Sequence, residues 1–360
     1  MYAGQAFHEA CPFSNKHPPS ARPQALLTVR TATDSHMFAF TVRRILQAII
    51  VMLIISFIGF ALKQSVGDPV RELTGISVSA AERDAIREKL GLNDPFLIQY
   101  GRFLKGAMQG NIGQSFFYKK PAMEVILNKA PATIELVICC TVLIVVLSIP
   151  MGIYSAIYPK RLLSRLIMGL STIGVSVPIF LIAILLIYVF AIELNWLPSY
   201  GRGETVNIWG WESGLLTLDG LRHLILPTTA LTALMLPLFV RLIRSEMMEV
   251  LETEYVKFAW AKGLPRMRIW FVHAFKNTLL PVITVGGVQI GTMIAFTILT
   301  ETVFQWGGLG FLFLEAVERA DTSLLVAYLI FVGVIFVVVN TAVDIIYGLV
   351  NPMVRITGRK

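Results

Sequence analysis

The sequence predicts an all-α integral membrane protein with six transmembrane helices and both termini on the cytoplasmic side (N-in, C-in). Three observations predict it. Apolar residues make up 55% of the 360 and charged residues only 15%, where a soluble domain carries about 25% charged residues. The apolar residues gather into runs of membrane-spanning length. The net charge of +8 comes from positive residues clustered at the ends of those runs, which speaks for membrane topology over nucleic-acid binding.

Residues 1–36 are polar, carry four prolines and lack the apolar core of a signal peptide. They are expected to be a disordered tail, or to precede a natural start at Met37. The first span is expected at Ile45–Leu62, behind the basic flank Arg43-Arg44. A long extramembrane segment follows. It holds a helix-like piece, Ser79–Leu90, where Ser79 and Glu82 have the spacing of a capping box. The turn Gly91-Leu92-Asn93-Asp94-Pro95 comes next, then an amphipathic piece marked by Phe96, Ile98, Tyr100, Phe103, Leu104 and Met108. Too ordered for a linker and too small for a domain, this segment reads as a cap against the outer face of the spans.

Further spans are expected at Thr133–Ile157, Leu166–Ile192, Leu224–Arg241, Leu279–Thr300 and Leu324–Val350. Interior prolines such as Pro150, Pro178 and Pro237 are compatible with membrane helices, whose neighbours re-satisfy the freed backbone groups. The basic connections 160–165 and 241–276 and the tail 352–360 are placed inside by the positive-inside rule. This divides the chain into 37–130 (first span and cap), 131–351 (membrane core, with a charged segment at 245–281) and 352–360 (tail).

The charged segment is the anomaly, because it keeps helical periodicity between two membrane-grade runs. Met248, Leu251, Tyr255, Phe258 and Ala259 fall on one helical face, and Met267, Trp270, Phe271, Ala274 and Phe275 repeat the pattern. Between them Gly263 suits a left-handed helix end and Pro265 the first turn of a following helix. The expectation is helix, sharp turn, amphipathic helix at a membrane surface.

Chemistry is sparse. No phosphate loop of the form G-x-x-x-x-G-K-[ST] is present, so the chain does not bind nucleotide by that device. Gly307-Gly308-Leu309-Gly310 reads as a tight turn, and the adjacent Cys139 and Cys140 read as packing residues. The five histidines lack metal-ligand spacing, and no catalytic constellation is present. No metal site and no cofactor of the chain's own are expected. The polar intramembrane residues Gln289, Thr292, Ser176 and Asn340 are candidate pathway residues, interhelical hydrogen bonding being their other reading. Asp344 is placed near the inner end of its span. Glu301 at a span end is expected to reach the interface, and Gly287-x-x-x-Gly291 to allow close helix approach. So few ionisable groups argue against a proton- or sodium-coupled carrier.

Taken together, Glu254-Tyr255-Val256, Ala259-x-Ala261-Lys262-Gly263-Leu264, His273-Ala274-x-x-Asn277 and Leu280-Pro281 resemble the cytoplasmic coupling motif of bacterial ABC importer permeases. The wording is similar to the first (B-type) permease of the dipeptide/oligopeptide/nickel branch. Gly67-Asp68-Pro69, Leu90-Gly91-Leu92, Leu299 to Phe304 with Gly308-Leu309-Gly310, Tyr347-Gly348 and Asn351-Pro352 add to the resemblance. Trp260, where this branch commonly has arginine, and Lys257-Phe258 depart from it. The resemblance implies a type I importer permease fold with a long periplasmic segment after the first helix, in the bacterial inner membrane. It implies that Glu254, Tyr255, Ala259, Ala261, Lys262, Gly263, Leu264, Asn277 and Pro281 form the ATPase-coupling segment. It also implies a second, C-type permease, two subunits that bind ATP and Mg, and a periplasmic or lipid-anchored binding protein that delivers short peptides. Nickel or another small solute is the alternative cargo.

Overall fold

The computed structural model describes residues 42–62, 82, 85, 88 and 93–350. The expectations for residues 1–36, Gly67-Asp68-Pro69, Ser79, Leu90-Gly91-Leu92 and 352–360 lie outside the described residues. Among the described residues, five helices are long and apolar enough to cross a membrane, and a bent pair makes a sixth if it is one span.

Helix α1 (Val42–Leu62) is a mostly exposed apolar rod. Helix α2 (Phe96–Met108) is the expected amphipathic piece, and it packs across the far end of α1. Phe57 and Phe60 meet Phe96, Tyr100 and Phe103 with ring centroids 5.2–5.7 Å apart, and the Ser56 and Tyr100 hydroxyls lie 2.8 Å apart.

Helix α3 (Ala122–Ile157) has 36 residues, so at about 1.5 Å per residue it overruns a hydrocarbon core of about 30 Å. It starts at Ala122, not Thr133, because Ala122, Val125, Ile126 and Ala130 bury against Leu309, Leu312 and Leu324. The third expected span is not straight. It divides into α4 (Leu162–Ser176) and α5 (Ile179–Leu186), which runs on as a π-helical stretch, Ile187–Glu193. The two halves are bent by 109°. Pro178 explains the break, since its ring pushes the preceding residue out of the helical region and Val177 is extended (φ −92°, ψ 125°).

A two-stranded antiparallel ribbon interrupts the helices, with β1 (Val206–Ile208) pairing β2 (Trp211–Ser213). Helix α6 (Leu218–Leu251) is the central element. It packs most extensively on α3, where Leu136, Cys140 and Ile144 meet Leu231, Met235 and Phe239. Cys140 is buried with its sulfur 3.3 Å from the Thr232 hydroxyl, which fits the packing role. Helix α7 (Glu254–Ala261) is short. Helix α8 is the continuous span Arg266–Val303, with a π-helical stretch at Ile269–Ala274. Helix α9 (Leu309–Glu318) lies within what the sequence suggests is a plain connection, and α10 (Thr322–Val350) closes the bundle.

Side-chain size at two glycines sets the contact between α8 and α10. A Cβ at Gly287 would sit 2.6 Å from Val343, and one at Gly291 would sit 2.5 Å from Phe336, so the Gly-x-x-x-Gly stripe is the close approach the sequence predicts. Arg44 at the start of α1 pairs with Asp344 near the end of α10, which brings the two ends of the described chain together at one end of the bundle. That end also holds α7. The α2 helix, the ribbon and α9 lie at the opposite end.

Candidate functional site

Helix α6 stops at Leu251 without proline or glycine. The Thr253 hydroxyl donates to the Val250 carbonyl (2.6 Å), a local bond that competes with helix continuation. Thr253 is extended (ψ 151°), and Glu254 opens α7, where a carboxylate complements the helix dipole. The expected common face therefore does not exist, because Met248 and Leu251 belong to α6. Helix α7 buries Val256 and Ala259, against Ile269, Val250, Leu251 and Leu264. Tyr255 and Phe258 are 43% and 61% exposed.

The end of α7 follows the sequence closely. Gly263 has φ +71°. Its N–H donates to the Trp260 carbonyl (2.9 Å) and that of Leu264 to the Ala259 carbonyl (3.3 Å). These are the two bonds of a Schellman motif, which needs a left-handed residue after the cap. Pro265 (φ −64°, ψ 142°) directs the chain into Arg266.

Beyond the turn, the predicted face is rotated. Met267 and Phe271 are exposed, while Ile269 and Ala274 are buried. The π-helical stretch, which starts at Ile269, accounts for Phe271, since it shifts the side chains that follow around the axis; Met267 lies before it. Trp270 and Phe275 still pack inward, beside Ile153, Ile243 and Met247, and Trp270 meets the Tyr158 ring (centroids 6.2 Å), over which Arg161 lies at 4.5 Å.

The outer face of α7 is polar and aromatic. Glu254 and Lys257 pair at 2.8 Å, and that bond holds the Lys257 ammonium pKa above its ordinary range. Lys262 stacks 4.5 Å from the Phe258 ring centroid. Ala261, Lys262, Gly263 and Trp260 are all exposed. Asn277 Nδ2 donates to the Tyr255 hydroxyl at 2.6 Å, so the structure joins two of the candidate residues that are 22 positions apart. Pro281 lies inside α8 one turn further on.

The candidate pathway residues are dispersed. Thr292 and Ser176 donate to the carbonyls four residues back, Val288 and Thr172, and Asn340 does the same to Phe336 (2.8 Å). Asn340 also lines a cavity of about 700 Å³ between α1, α8 and α10, beside Arg44 and Asp344. Gln289 is half-buried on α8.

Three buried polar knots lie at the opposite end, of which the sequence pointed only to Glu301, as a span-end residue. Glu301 does not reach the interface and is 0% exposed. Its oxygens accept from the Thr133 hydroxyl (2.5 Å) and from the N–H groups of Gly310 (2.8 Å) and Phe311 (3.0 Å). The tight turn at Gly307-Gly308 thus ends as the N-terminus of α9 wrapped on this carboxylate. A glycine cluster closely following an acidic residue was the available signal. Glu135 on α3 pairs with Arg202 (2.8 Å) and accepts from Trp211 Nε1 and the Gly214 N–H, which fixes the ribbon. Asp321 accepts from the Ser115 hydroxyl (2.5 Å) and from the N–H groups of Phe116 and Leu324. Nearby, burial and then the bond from its hydroxyl to Glu315 (2.5 Å) push the Tyr118 pKa up to about 12.

A bundle of apolar spans around α6, with a short helix left bare at one end, defines a multi-span membrane protein. The chain belongs to the family described as binding-protein-dependent transport system inner membrane component, which matches residues 148–356, and residues 37–137 match the N-terminal part of such components. It is a bacterial inner-membrane protein and a permease component. Its relatives include the dipeptide transport system permease protein DppB of Alkalihalophilus pseudofirmus, 34% identical over 332 residues, covering 89% of this chain and 100% of that protein. DppB of Escherichia coli K12 is 34% identical (89% and 99% covered) and the oligopeptide permease AppB of Bacillus subtilis 35% (89% and 100%). The fold matches a chain of the MetNI methionine ABC transporter in an inward-facing conformation (TM-score 0.52, 16% identity, 64% of this chain and 98% of that chain).

Proposed function

We propose that this permease moves short peptides inward by alternating access, driven by ATP that two separate subunits bind with Mg and hydrolyse. A second, C-type permease completes the pathway, and a periplasmic or lipid-anchored binding protein delivers the cargo. The chain itself binds no nucleotide and is not an enzyme. Both termini and α7 face the cytoplasm.

One observation carries the coupling role. Helix α7 buries only Val256 and Ala259 and offers Phe258, Trp260 and Lys262 outward, on a turn fixed by Gly263. Such a face suits the groove of a partner protein, with aromatic anchors and one cation. Peptide cargo is supported by the names of the relatives, three of which are dipeptide or oligopeptide permeases. Gln289, Thr292, Ser176 and Asn340 are proposed to border the pathway.

The test is ATP-dependent uptake of a labelled dipeptide by the reconstituted complex, with nickel as the competing cargo. Gly263→Trp is expected to abolish substrate-stimulated ATP hydrolysis while the complex stays in the membrane. Normal stimulation in that variant, or uptake of nickel in place of peptide, refutes the corresponding part of the proposal.

A further inference from the structure

A short docking helix can transmit force only if its orientation against the spans is fixed. Helix α7 meets the base of α8 in two ways. The apolar patch of Val256, Ala259 and Ile269 holds the helix close, but burial of apolar surface has no preferred direction, and two small faces in contact can roll. The polar contact is directional. Asn277 Nδ2 donates to the Tyr255 hydroxyl at 2.6 Å, and that hydroxyl lies 3.5 Å from the His273 carbonyl oxygen.

The place of this contact matters. His273 lies in the π-helical stretch Ile269–Ala274, and Asn277 lies in the first turn of the regular helix that follows. Tyr255 therefore touches both sides of the junction where the backbone ladder of α8 changes register. Further along the same helix, Gly287 and Gly291 interlock with Val343 and Phe336 of α10, so a rotation of α8 is passed to its neighbour.

We propose that Tyr255 and Asn277 are a positioning pair, a single directional pin that fixes the angle of α7 to α8 so that movement of the docking helix turns the span. The inference rests on the coupling role proposed above. Both side chains lie at an exposed surface, so the pin adds little to folding. Its effect is on how well the two helices move as one.

The experiment uses the complete transporter in nanodiscs and the cognate binding protein loaded with dialanine, with ATP hydrolysis measured with and without that stimulant. The variants are Tyr255→Phe, Asn277→Ala, the double variant and Asn277→Asp, and co-purifying ATPase is quantified in each. Each single variant is expected to cut the stimulation ratio by about fivefold, the scale of one hydrogen bond in a two-state equilibrium. The double variant falls no further than either single. Asn277→Asp keeps most of the stimulation, because the tyrosine hydroxyl then turns to donate to the carboxylate.

Wild-type ratios in the singles, multiplicative losses in the double, an Asp variant as poor as Ala, or loss of ATPase from the variants would each overturn the pin. If Asn277→Ala fails to reach the membrane, Tyr255→Phe, which removes one oxygen from an exposed side chain, decides alone. A wild-type complex with no ATPase, or none stimulated, refutes the coupling role itself. That failure is seen before any variant is made.

Discussion

Replacing Glu301 probes the seal between α3, α8 and α9. Its carboxyl group is 0% exposed and meets only donors: the Thr133 hydroxyl on one oxygen and the Gly310 and Phe311 N–H groups on the other. Thr133 can reverse only by stranding its own proton, because its oxygen would then accept from the new amide as well as from the Leu309 N–H at 2.7 Å. In Glu301→Gln the amide nitrogen takes one of the two oxygen positions, and its cheaper choice faces the threonine, leaving one donor without an acceptor. That mismatch costs about 1–3 kcal/mol. Glu301→Ala strands all three donors and opens a cavity, a cost of at least about 3 kcal/mol. With roughly 2 °C lost per kcal/mol in a large chain, the two variants unfold at successively lower temperatures. The buried Cys140 thiol gives the assay: a thiol-reactive fluorophore, in a background with Cys11 and the half-buried Cys139 both changed to Ser, reports its exposure on heating in detergent. An alanine variant that exposes Cys140 at the wild-type temperature refutes the seal.

The same cage predicts that Gly308→Ala destabilises by about 1–3 kcal/mol in that assay, since the added Cβ would lie 2.5 Å from the Thr133 hydroxyl and 2.7 Å from both Glu301 oxygens. Arg202→Met leaves Glu135, 3% exposed, buried without its cation, a loss of about 3–5 kcal/mol; adding Glu135→Gln is expected to restore much of it, as thermal unfolding will show. Tyr118, raised from 10.0 to about 12, is held neutral in the folded protein, so its contribution to stability is complete below pH 10 and is lost as pH rises through 12. The ultraviolet difference titration between wild type and Tyr118→Phe is expected to show a midpoint near 12, and an ordinary midpoint contradicts the bond to Glu315.

Spans, the α2 cap helix and the Gly263 turn were legible because each rests on local signals: run length, periodicity, and a glycine where the backbone turns left-handed. The close approach at Gly287 and Gly291 was legible for the same reason. The break at Thr253 was not, since it depends on where one hydroxyl donates. The π-helical stretch at Ile269–Ala274 upset the periodic reading after Ile269, because the exposed Phe271 fits an ideal α-helical face as well as the buried Ala274 does. The bend at Pro178 was visible as a proline but not as a 109° change of direction. Glu301 was misjudged for a different reason. Its burial is set by Thr133 in α3 and by amides of α9, and nothing near it in the chain announces the first of these.

The coupling role is tested most directly by a photo-crosslinking residue at Phe258, the 61% exposed side chain on the bare face of α7, in the native transporter. The account predicts a covalent product with the ATP-hydrolysing subunit, identified by its own peptides, and no such product from the same probe at Ile208 on the opposite end. A Phe258 probe that never reaches that subunit, in a complex that contains it, would contradict the account.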